Sequence, residues 1–439
     1  MKSSLIPKQT SLTIISIFML SVYNVIFLPL FYLILILAVP FDKKIRKGVM
    51  GRIGLWKKLR LFRGQFPDQK VVVLHCASMG EFEHTKPFLL ELKSTHPNLK
   101  ILVLFFSPSG FENVKDFPAV DLFTYSPHEC IISIWRFMKI VQPAVWIIAK
   151  HDVWPNQVWM THRLNVPLFL INASLHRQSS RLFWINRGFH REIYRYFTRI
   201  LTISHSDEIN FCQLVDEKNL VVVGDTKYDQ VLFRRDESKK LEIIPKEILN
   251  SRWIFIAGST WPEDQYHLLP AFKTLSNKYQ DILFIICPHE PTEAHLEEFL
   301  EVSSPVKVIK LSEIQDYNDE KFILIDRIGV LANLYSIAKV AYVGGSFKQN
   351  IHNVLEAAVY EIPVLFGPVN QNSYEAQLLK TQRGGMEVRQ SQDIITLVEK
   401  FYLNDVYRRE TGIKAYRVVT ENCGATARSV EIVKKYLDE

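Results

Sequence analysis

The sequence has few cysteines and no regular repeats. Its five cysteines are scattered, odd in number and form no Cys-x-x-Cys pair, which argues against a disulfide framework and against a structural zinc site. This pattern indicates a reducing compartment. No internal repeat or low-complexity tract is present, and a content of 48% apolar and 23% charged residues is typical of a packed globular protein.

Charged residues are absent from Gln9 through Phe41. Because about 20 apolar residues span a bilayer as a helix, we expect a membrane anchor within residues 1–42. The segment contains Ser16, Ser21, Asn24 and Pro29, which leave a tilt, a kink or a partly interfacial path open. A cleavable signal peptide is the alternative. Its apolar region would be about 7–15 residues long and end at small residues, which residues 38–40 (Ala-Val-Pro) match poorly.

A basic cluster follows the apolar segment. Residues 42–63 contain nine lysines and arginines and a single acid, Asp42. The positive-inside rule therefore places the rest of the chain in the cytoplasm. The same cations would lie close to anionic headgroups. They account for the net charge of +7 without a nucleic-acid partner.

The remaining sequence predicts two α/β domains. Short runs rich in Val, Ile, Leu and Phe alternate with helix-length segments, which is typical of buried parallel strands in βαβ units. The runs of the first domain are 71–74, 101–106, 145–149, 168–171, 200–203 and 220–223. After a polar interval at 234–250, those of the second are 253–257, 282–287, 322–325, 340–343 and 364–366. We therefore expect Rossmann-like domains at 43–235 and 236–439, with their strand ends toward a shared cleft.

The first chemically informative segment, residues 75–82, follows the first predicted strand. Thr85 and Pro87 resemble the N-cap and first-turn proline of a helix, which places Glu81 in the preceding loop. That loop would face the cleft between the two expected domains. Alternatively, Ser78 and Glu81 have the spacing of a helix capping box, and spacing alone does not decide between the two.

The second informative segment combines glycines with a helix start. Gly329, Gly344 and Gly345 would allow a phosphate to approach the backbone, and a helix N-terminus would offer it free N–H groups. Glu356 would then accept hydrogen bonds from a ribose diol. Alternatively, Asn353 and Glu356 only cap that helix, and both roles are compatible in one residue.

Two further segments end predicted strands. Residues 257–264 place small polar groups before a helix start, and residues 288–291 place His289 where it would contact a phosphate or a base. A lone histidine is more often structural, and none of the four segments is specific alone.

Taken in order, these segments resemble the 3-deoxy-D-manno-octulosonic acid (Kdo) transferases of lipopolysaccharide synthesis, from about residue 70 to about residue 390. The matching motifs are 77–81 (Ala-Ser-Met-Gly-Glu), 107–110 (Ser-Pro-Ser-Gly), 154–156 (Trp-Pro-Asn), 172–174 (Asn-Ala-Ser), 224–229 (Gly-Asp-Thr-Lys-Tyr-Asp), 258–260 (Gly-Ser-Thr), 344–346 (Gly-Gly-Ser), 352–356 (His-Asn-Val-Leu-Glu) and 366–368 (Phe-Gly-Pro). The anchor followed by basic residues also resembles that family.

The resemblance implies a GT-B glycosyltransferase that transfers Kdo with inversion from CMP-Kdo to a lipid A precursor (lipid IVA). Glu81 would be the general base, and the enzyme would act at the cytoplasmic face of the inner membrane. The leaving group is a monophosphate, which N–H groups and polar side chains can stabilise, so we expect neither a metal ion nor a cofactor. By similarity, the donor pocket would use Pro288, His289, Ile328, Gly329, Val330, Gly344, Gly345, Ser346, Asn353, Val354, Leu355 and Glu356, with Lys227 and Ser259 near the phosphate or the Kdo carboxylate.

The chain departs from the common family motifs in three places. The family's Pro-Arg-His is Pro-His-Glu at 288–290, so a guanidinium contact to the donor is missing or replaced. Its Gly-Glu-Leu is Gly-Val-Leu at 329–331, which leaves only backbone contacts there. Its Glu-x-Glu-x-Trp-Pro-Asn is represented by residues 150–156, in which Asp152 is the one carboxylate.

Residues 181–199 carry five arginines among aromatic side chains. The segment would either lie against headgroups or acceptor phosphates, or form an ordinary helix with an aromatic core face and a solvated basic face. Two other functions for the whole chain stay open. One is another GT-B nucleotide-sugar transferase or epimerase, and the other is a non-catalytic membrane-bound homologue.

Overall fold

In the computed structural model, which describes residues 14–114, 116–238 and 242–438, the chain divides into two units. The first comprises the described residues of Met1–Gln230 and Cys423–Glu439, and the second is Val231–Asn422. Each unit contains one parallel sheet of seven strands. The expected α/β class is therefore confirmed for both units.

The first unit has the strand order β3-β2-β1-β4-β5-β6-β7, which contains the doubly wound order of dinucleotide-binding folds. Its strands are β1 Val71–Cys76, β2 Lys100–Phe105, β3 Leu122–Tyr125, β4 Val145–Ala149, β5 Leu168–Ala173, β6 Arg199–Thr202 and β7 Leu220–Val222. Its helices are α1 Ile14–Val22, α2 Leu28–Ala38, α3 Lys43–Met50, α4 Leu55–Gln65, α5 Met79–Thr95, α6 Pro108–Phe111, α7 Ile131–Val141, α8 Pro155–Arg163, α9 Trp184–Tyr194 and α10 His205–Phe211. Helix α11, Thr226–Ser238, contains the boundary between the units.

The second unit has the strand order β10-β11-β9-β8-β12-β13-β14. Its strands are β8 Trp253–Thr260, β9 Ile282–Pro288, β10 Val308–Lys310, β11 Phe322–Leu324, β12 Val340–Val343, β13 Val364–Phe366 and β14 Gly385–Glu387. Its helices are α12 Lys246–Leu249, α13 Pro262–Lys278, α14 Glu293–Ser303, α15 Leu331–Leu334, α16 Leu355–Ala358, α17 Tyr374–Thr381, α18 Ser391–Leu403 and α19 Asp405–Thr420.

Burial on both faces explains why the strands are almost continuously apolar. In β1, Val71 and Val73 pack into one hydrophobic cluster, whereas Val72 and Leu74 pack into another on the opposite face. Successive strand side chains point to opposite faces, so a strand covered on both sides needs apolar residues at nearly every position.

The C-terminal segment belongs to the first unit, whereas the sequence-based boundary placed all of 236–439 in the second domain. Its helix α20, Ala425–Lys434, packs against α5. The Asp229 carboxylate accepts hydrogen bonds from the N–H groups of Gly424 (2.7 Å) and Thr426 (2.9 Å) at the start of α20. The helix start is thus held by an acid in α11, which a reading of local patterns does not reveal.

The apolar N-terminal segment forms one helix, Ile14–Ala38, which is long and apolar enough to cross a membrane. It consists of α1, a π-helical turn at Tyr23–Phe27 and α2. The π turn lies just before Pro29, which has no N–H for a normal helical hydrogen bond. The part of the predicted anchor before Ile14 lies outside the described residues.

Polar contacts join this helix to the first unit. The side-chain amides of Asn24 and Asn156 donate to each other, at 3.0 and 2.9 Å. Ser16 is buried and hydrogen-bonds to Glu192 of α9. Most other side chains of the helix are exposed and apolar. Ser16 and Asn24 therefore face the protein, whereas Ser21 is exposed and donates to the Ile17 carbonyl of its own helix.

Candidate active site

Glu81 lies in the first turn of α5, directly after the C-terminal end of β1. The expectation of a loop position was wrong, because α5 begins at Met79 and contains Pro87 in its interior. A buried face that includes Phe82, Phe88 and Leu89 stabilises this helix despite the hydrogen bond lost at the proline.

The capping-box interpretation of Ser78 and Glu81 is only partly realised. Ser78 has the extended backbone of an N-cap, but its side chain makes no capping hydrogen bond. The Ala77 N–H donates to Oε2 of Glu81 at 2.6 Å. Glu81 therefore stabilises the strand-to-helix turn through one carboxylate oxygen, which leaves Oε1 for other chemistry.

The carboxyl group of Glu81 is in a suitable environment for a general base. The residue is only 7% exposed, and burial raises its pKa, as does the nearby charge of Asp152. The Ala77 hydrogen bond and the charges of Lys150 and His75 act in the opposite direction. A carboxylate of raised pKa accepts a proton more readily than a solvated one.

A pair formed by a buried histidine and a half-buried aspartate lies beside Glu81. The Nε2–H of His75 donates to Oδ2 of Asp152 at 2.8 Å, and His75 is fully buried. Although burial opposes it, hydrogen bonding and charge from His75 hold the pKa of Asp152 below its usual value. His75 is in β1 and Asp152 follows β4, the strand paired with β1. The sequence contains both residues but does not reveal that they pair. Knowing that β1 and β4 are adjacent in the sheet would have predicted the contact.

In the second unit, a tight turn after β12 holds Gly344, Gly345 and Ser346. A Cβ on Gly344 would lie 2.3 Å from the carbonyl oxygen of Ser259. Gly345 has φ +84°, and a Cβ there would lie 2.5 Å from the carbonyl oxygen of Asn350. Both positions therefore require glycine. Ser346 is fully buried, and its hydroxyl accepts the Gly367 N–H at 2.6 Å, so it stabilises the turn itself.

Asp264 holds this turn, although the sequence did not single it out as a site residue. Its carboxylate accepts hydrogen bonds from the N–H groups of Gly345 (2.9 Å) and Trp261 (2.8 Å) and from the Tyr342 hydroxyl (2.7 Å). Burial raises the pKa of Asp264, while these hydrogen bonds favour its ionised form. The residue positions the glycine turn at the carboxyl ends of β8 and β12.

His289 and its neighbours form an aromatic group at the ends of β8 and β9. The His289 ring stacks on His352 at 4.2 Å and lies 4.9 Å from Trp261. The Trp261 Nε1–H donates to Nε2 of His352 at 3.2 Å, and burial, with the charge of His289, lowers the pKa of His352 to about 4. His352 is therefore neutral near pH 7. Pro288, the last residue of β9, is half-buried.

The remaining donor-site residues of the second unit lie in two segments, one before α15 and one at the start of α16. Ile328 and Gly329 are exposed and Val330 is half-buried, before α15. The Asn353 side chain accepts the Leu355 N–H at 3.1 Å. Val354 and Leu355 are buried at the start of α16.

Glu356 does not reach back to cap α16 as the capping alternative required. Its Oε1 accepts a hydrogen bond from Arg234 at 2.7 Å. Asn353 thus accepts an N–H group at the start of α16, and Glu356 forms an ion pair with Arg234 of the same unit.

Lys227 and Ser259 lie in different units. Lys227, in the first turn of α11 in the first unit, forms an ion pair with Asp225 at 3.2 Å. Ser259, near the end of β8 in the second unit, has φ +52° and is half-buried. In the described ranges, no group of three or more His, Cys, Asp or Glu side chains could hold a metal ion.

The basic, aromatic segment has the aromatic core face of the ordinary-helix alternative, and its contact with headgroups or acceptor phosphates stays a prediction. Tyr194 and Phe197 are buried, as expected for a core face. Phe183, Trp184 and Ile185 are exposed at the start of α9. The C-terminal end of the segment is thus packed into the core of the first unit, and its N-terminal end exposes apolar side chains.

Comparison with known proteins agrees with the sequence resemblance. Residues 48–230 match the family model described as 3-deoxy-D-manno-octulosonic-acid transferase (kdotransferase). The 3-deoxy-D-manno-octulosonic acid transferase of Haemophilus influenzae is 28% identical over 379 residues, which cover 85% of this chain and 88% of that protein. The Aquifex aeolicus transferase of the same name is 27% identical over 74% of this chain and 83% of its own length.

A solved structure shows the same fold. The UDP-GlcNAc 2-epimerase of Neisseria meningitidis bound to UDP-GlcNAc is similar with a TM-score of 0.57 and 15% identity, covering 84% of this chain and 100% of that chain. This likeness supports the GT-B class only. The family model and the relatives lead to one conclusion: the chain is a glycosyltransferase, and its residues 48–230 carry the 3-deoxy-D-manno-octulosonic-acid transferase domain.

Proposed function

We propose that the protein transfers Kdo with inversion from CMP-Kdo to a lipid A precursor, lipid IVA, in lipopolysaccharide core synthesis. The first unit would bind the acceptor and the second the donor. The observation that carries the proposal is the carboxyl group of Glu81, buried at the carboxyl end of β1 with a raised pKa and one oxygen fixed by the Ala77 N–H.

In this mechanism Glu81 takes the proton from an acceptor hydroxyl. The hydroxyl oxygen attacks the anomeric carbon of Kdo from the face opposite the phosphate. The bond between that carbon and the phosphate oxygen breaks, and CMP leaves with the electron pair. The base is not consumed, because it releases the proton to water afterwards.

Residues of the second unit would stabilise the departing CMP. The turn at Gly344 and Gly345 allows a phosphate to approach the backbone, and Asp264 keeps that turn in place. His289 would supply a hydrogen-bond donor to CMP-Kdo where the family has an arginine. Glu356 would accept hydrogen bonds from the ribose hydroxyls. Ser259 and the backbone at residues 328–330 complete the proposed contacts of the second unit, and Lys227 of the first unit would contact the phosphate or the Kdo carboxylate. No metal ion or cofactor is required by this chemistry.

The helix Ile14–Ala38 would anchor the enzyme in the inner membrane as its single span. The cluster of lysines and arginines that follows it would keep both units at the cytoplasmic face. This location gives access to a lipid acceptor and to a soluble nucleotide donor.

Turnover by the full-length protein in detergent tests the proposal. We expect release of CMP from CMP-Kdo that depends on a tetra-acylated lipid A precursor. Calorimetry should show binding of CMP rather than UDP. Binding of UDP alone would favour a different nucleotide-sugar enzyme, and absence of turnover with intact CMP binding would favour a non-catalytic homologue.

A further inference from the structure

An apolar cavity of about 690 Å³ lies within the first unit, between the N-terminal helix and the sheet. Phe31, Leu35 and Ile36 of α2 form part of its lining. Phe106 and Pro108, just beyond the end of β2, form another part. The cavity therefore joins the segment most suited to a membrane with the carboxyl edge of the sheet that carries Glu81.

Two cations also line the cavity. Lys44 is exposed on α3. Arg52 is held in place, since its Nε–H donates to the Ser126 carbonyl at 2.8 Å and one of its Nη groups donates to the Phe106 carbonyl at 3.2 Å. A guanidinium held by backbone carbonyls and an exposed ammonium beside an apolar space suit a ligand that is both apolar and anionic.

One acid, Glu129, lies in the same lining. It accepts the Asn156 N–H at 2.6 Å, and burial raises its pKa to about 8. The group is therefore mostly uncharged at pH 7 and does not repel an anion near Arg52.

The cavity is directly connected to the candidate base through the backbone. The N–H groups of Phe106 and Ser107 donate to the carbonyls of Cys76 and Ala77, both at 3.1 Å. The Ala77 N–H in turn donates to Glu81. A ligand in the cavity thus lies against the strand end adjacent to the one that positions Glu81.

We propose that this cavity receives an acyl chain of the phosphorylated acceptor lipid, with Arg52 and Lys44 facing its anionic headgroup. The inference rests on the proposed function, since it names the part of the acceptor that the first unit recognises. The acyl chain would enter from the membrane along α2. The sugar hydroxyl of the same acceptor lipid would then be directed toward Glu81. The N-terminal helix then serves as part of the acceptor site as well as an anchor.

Filling the cavity tests the proposal. Ser133 lines it from α7, and Lys139 is exposed on the same helix, so Ser133→Trp and Lys139→Trp form a matched pair. Each full-length variant is assayed with the tetra-acylated acceptor and with its fully deacylated counterpart. We expect Ser133→Trp to raise the KM for the acylated acceptor at least tenfold. Its KM for CMP-Kdo and its turnover of the deacylated acceptor should stay unchanged, and Lys139→Trp should match the unsubstituted protein.

An unchanged KM for the acylated acceptor in folded Ser133→Trp would overturn the inference while leaving the proposed function intact. Failure of the unsubstituted protein to release CMP would instead refute the proposed function. Photo-crosslinking with an acceptor that carries a diazirine on one acyl chain keeps the test decisive if Ser133→Trp does not fold. Labels on residues 31–36 and 106–108 of the unsubstituted protein support the inference. Labels confined to the exposed face of the helix, or lost in excess phospholipid, contradict it.

Discussion

Replacing Glu81 with glutamine removes the proposed base with little change in shape. The glutamine carbonyl oxygen can still accept the Ala77 N–H, which the native carboxylate binds at 2.6 Å. The strand-to-helix turn should therefore remain, while proton abstraction from the acceptor is lost. A positioned general base contributes about 10²–10⁴-fold to the rate, so we expect kcat to fall by that factor. This loss corresponds to about 3–5 kcal/mol in activation free energy.

The pH dependence provides a second readout of the same substitution. Burial raises the pKa of Glu81, and the base must be ionised to act. The rate should therefore fall as the pH drops through this raised pKa, at a higher pH than for a solvated glutamate. In Glu81→Gln this acidic limb should disappear from the residual activity.

Stability should respond in the opposite direction to activity. For an acid whose folded-state pKa is raised, protonation favours the folded state, and this contribution is lost as the pH rises through the folded pKa. At pH 8 Glu81→Gln should thus be at least as stable as the unsubstituted protein in urea denaturation. Glu81→Ala should be less stable by about 1–3 kcal/mol, because the Ala77 N–H loses its partner.

A matched control separates base removal from general charge effects. Glu83→Gln changes a carboxyl two residues away that pairs with Lys86. Its kcat should stay within about twofold of the unsubstituted enzyme, since a partly exposed ion pair contributes little. Full activity of Glu81→Gln, measured as CMP release, would refute the assignment of the base.

Three further predictions concern the surroundings of the two sites. Asp152→Ala leaves the fully buried His75 without its 2.8 Å partner, so the free energy of unfolding in urea should fall by about 1–3 kcal/mol; no change would contradict the buried pair. In NMR titrations the ring of His352 should stay neutral down to a pKa of about 4, and titration near pH 6.5 would contradict its burial and its hydrogen bond from Trp261. Gly345→Ala would place a Cβ 2.5 Å from the carbonyl oxygen of Asn350, at a residue whose φ is +84°. Calorimetry should therefore show CMP affinity reduced by roughly 1–3 kcal/mol. Unchanged affinity would show that the turn does not shape the donor site.

The sequence predicted the central strands of both sheets but not three of the edge strands. Strands β3, β10 and β14 are all at sheet edges, and each is only partly buried. An edge strand pairs on one side only and is short, so it has a weaker apolar pattern than a central strand. How deeply a strand is buried depends on its position in the sheet. That position follows from tertiary packing, which a local sequence pattern does not show.

The site was predictable at the level of segments rather than contacts. The order of the motifs, none of which is specific alone, directed attention to Glu81 and to the glycine turn, which the structure places just beyond the carboxyl ends of β1 and β12. The start of α5 was misplaced, since Pro87 favours a first-turn position and only the burial of Phe82 and Phe88 reveals the longer helix. The contacts of Asp264 and Asp229 join residues far apart in the chain, and no local pattern specifies such pairs.

The central claim is most directly tested by mass spectrometry of the lipid product. The full-length protein is incubated with CMP-Kdo and the tetra-acylated lipid A precursor, and released CMP is quantified in parallel. The account predicts that the lipid gains whole Kdo residues and that one CMP appears for each residue added. A lipid of unchanged mass, with CMP-Kdo left intact, would contradict it.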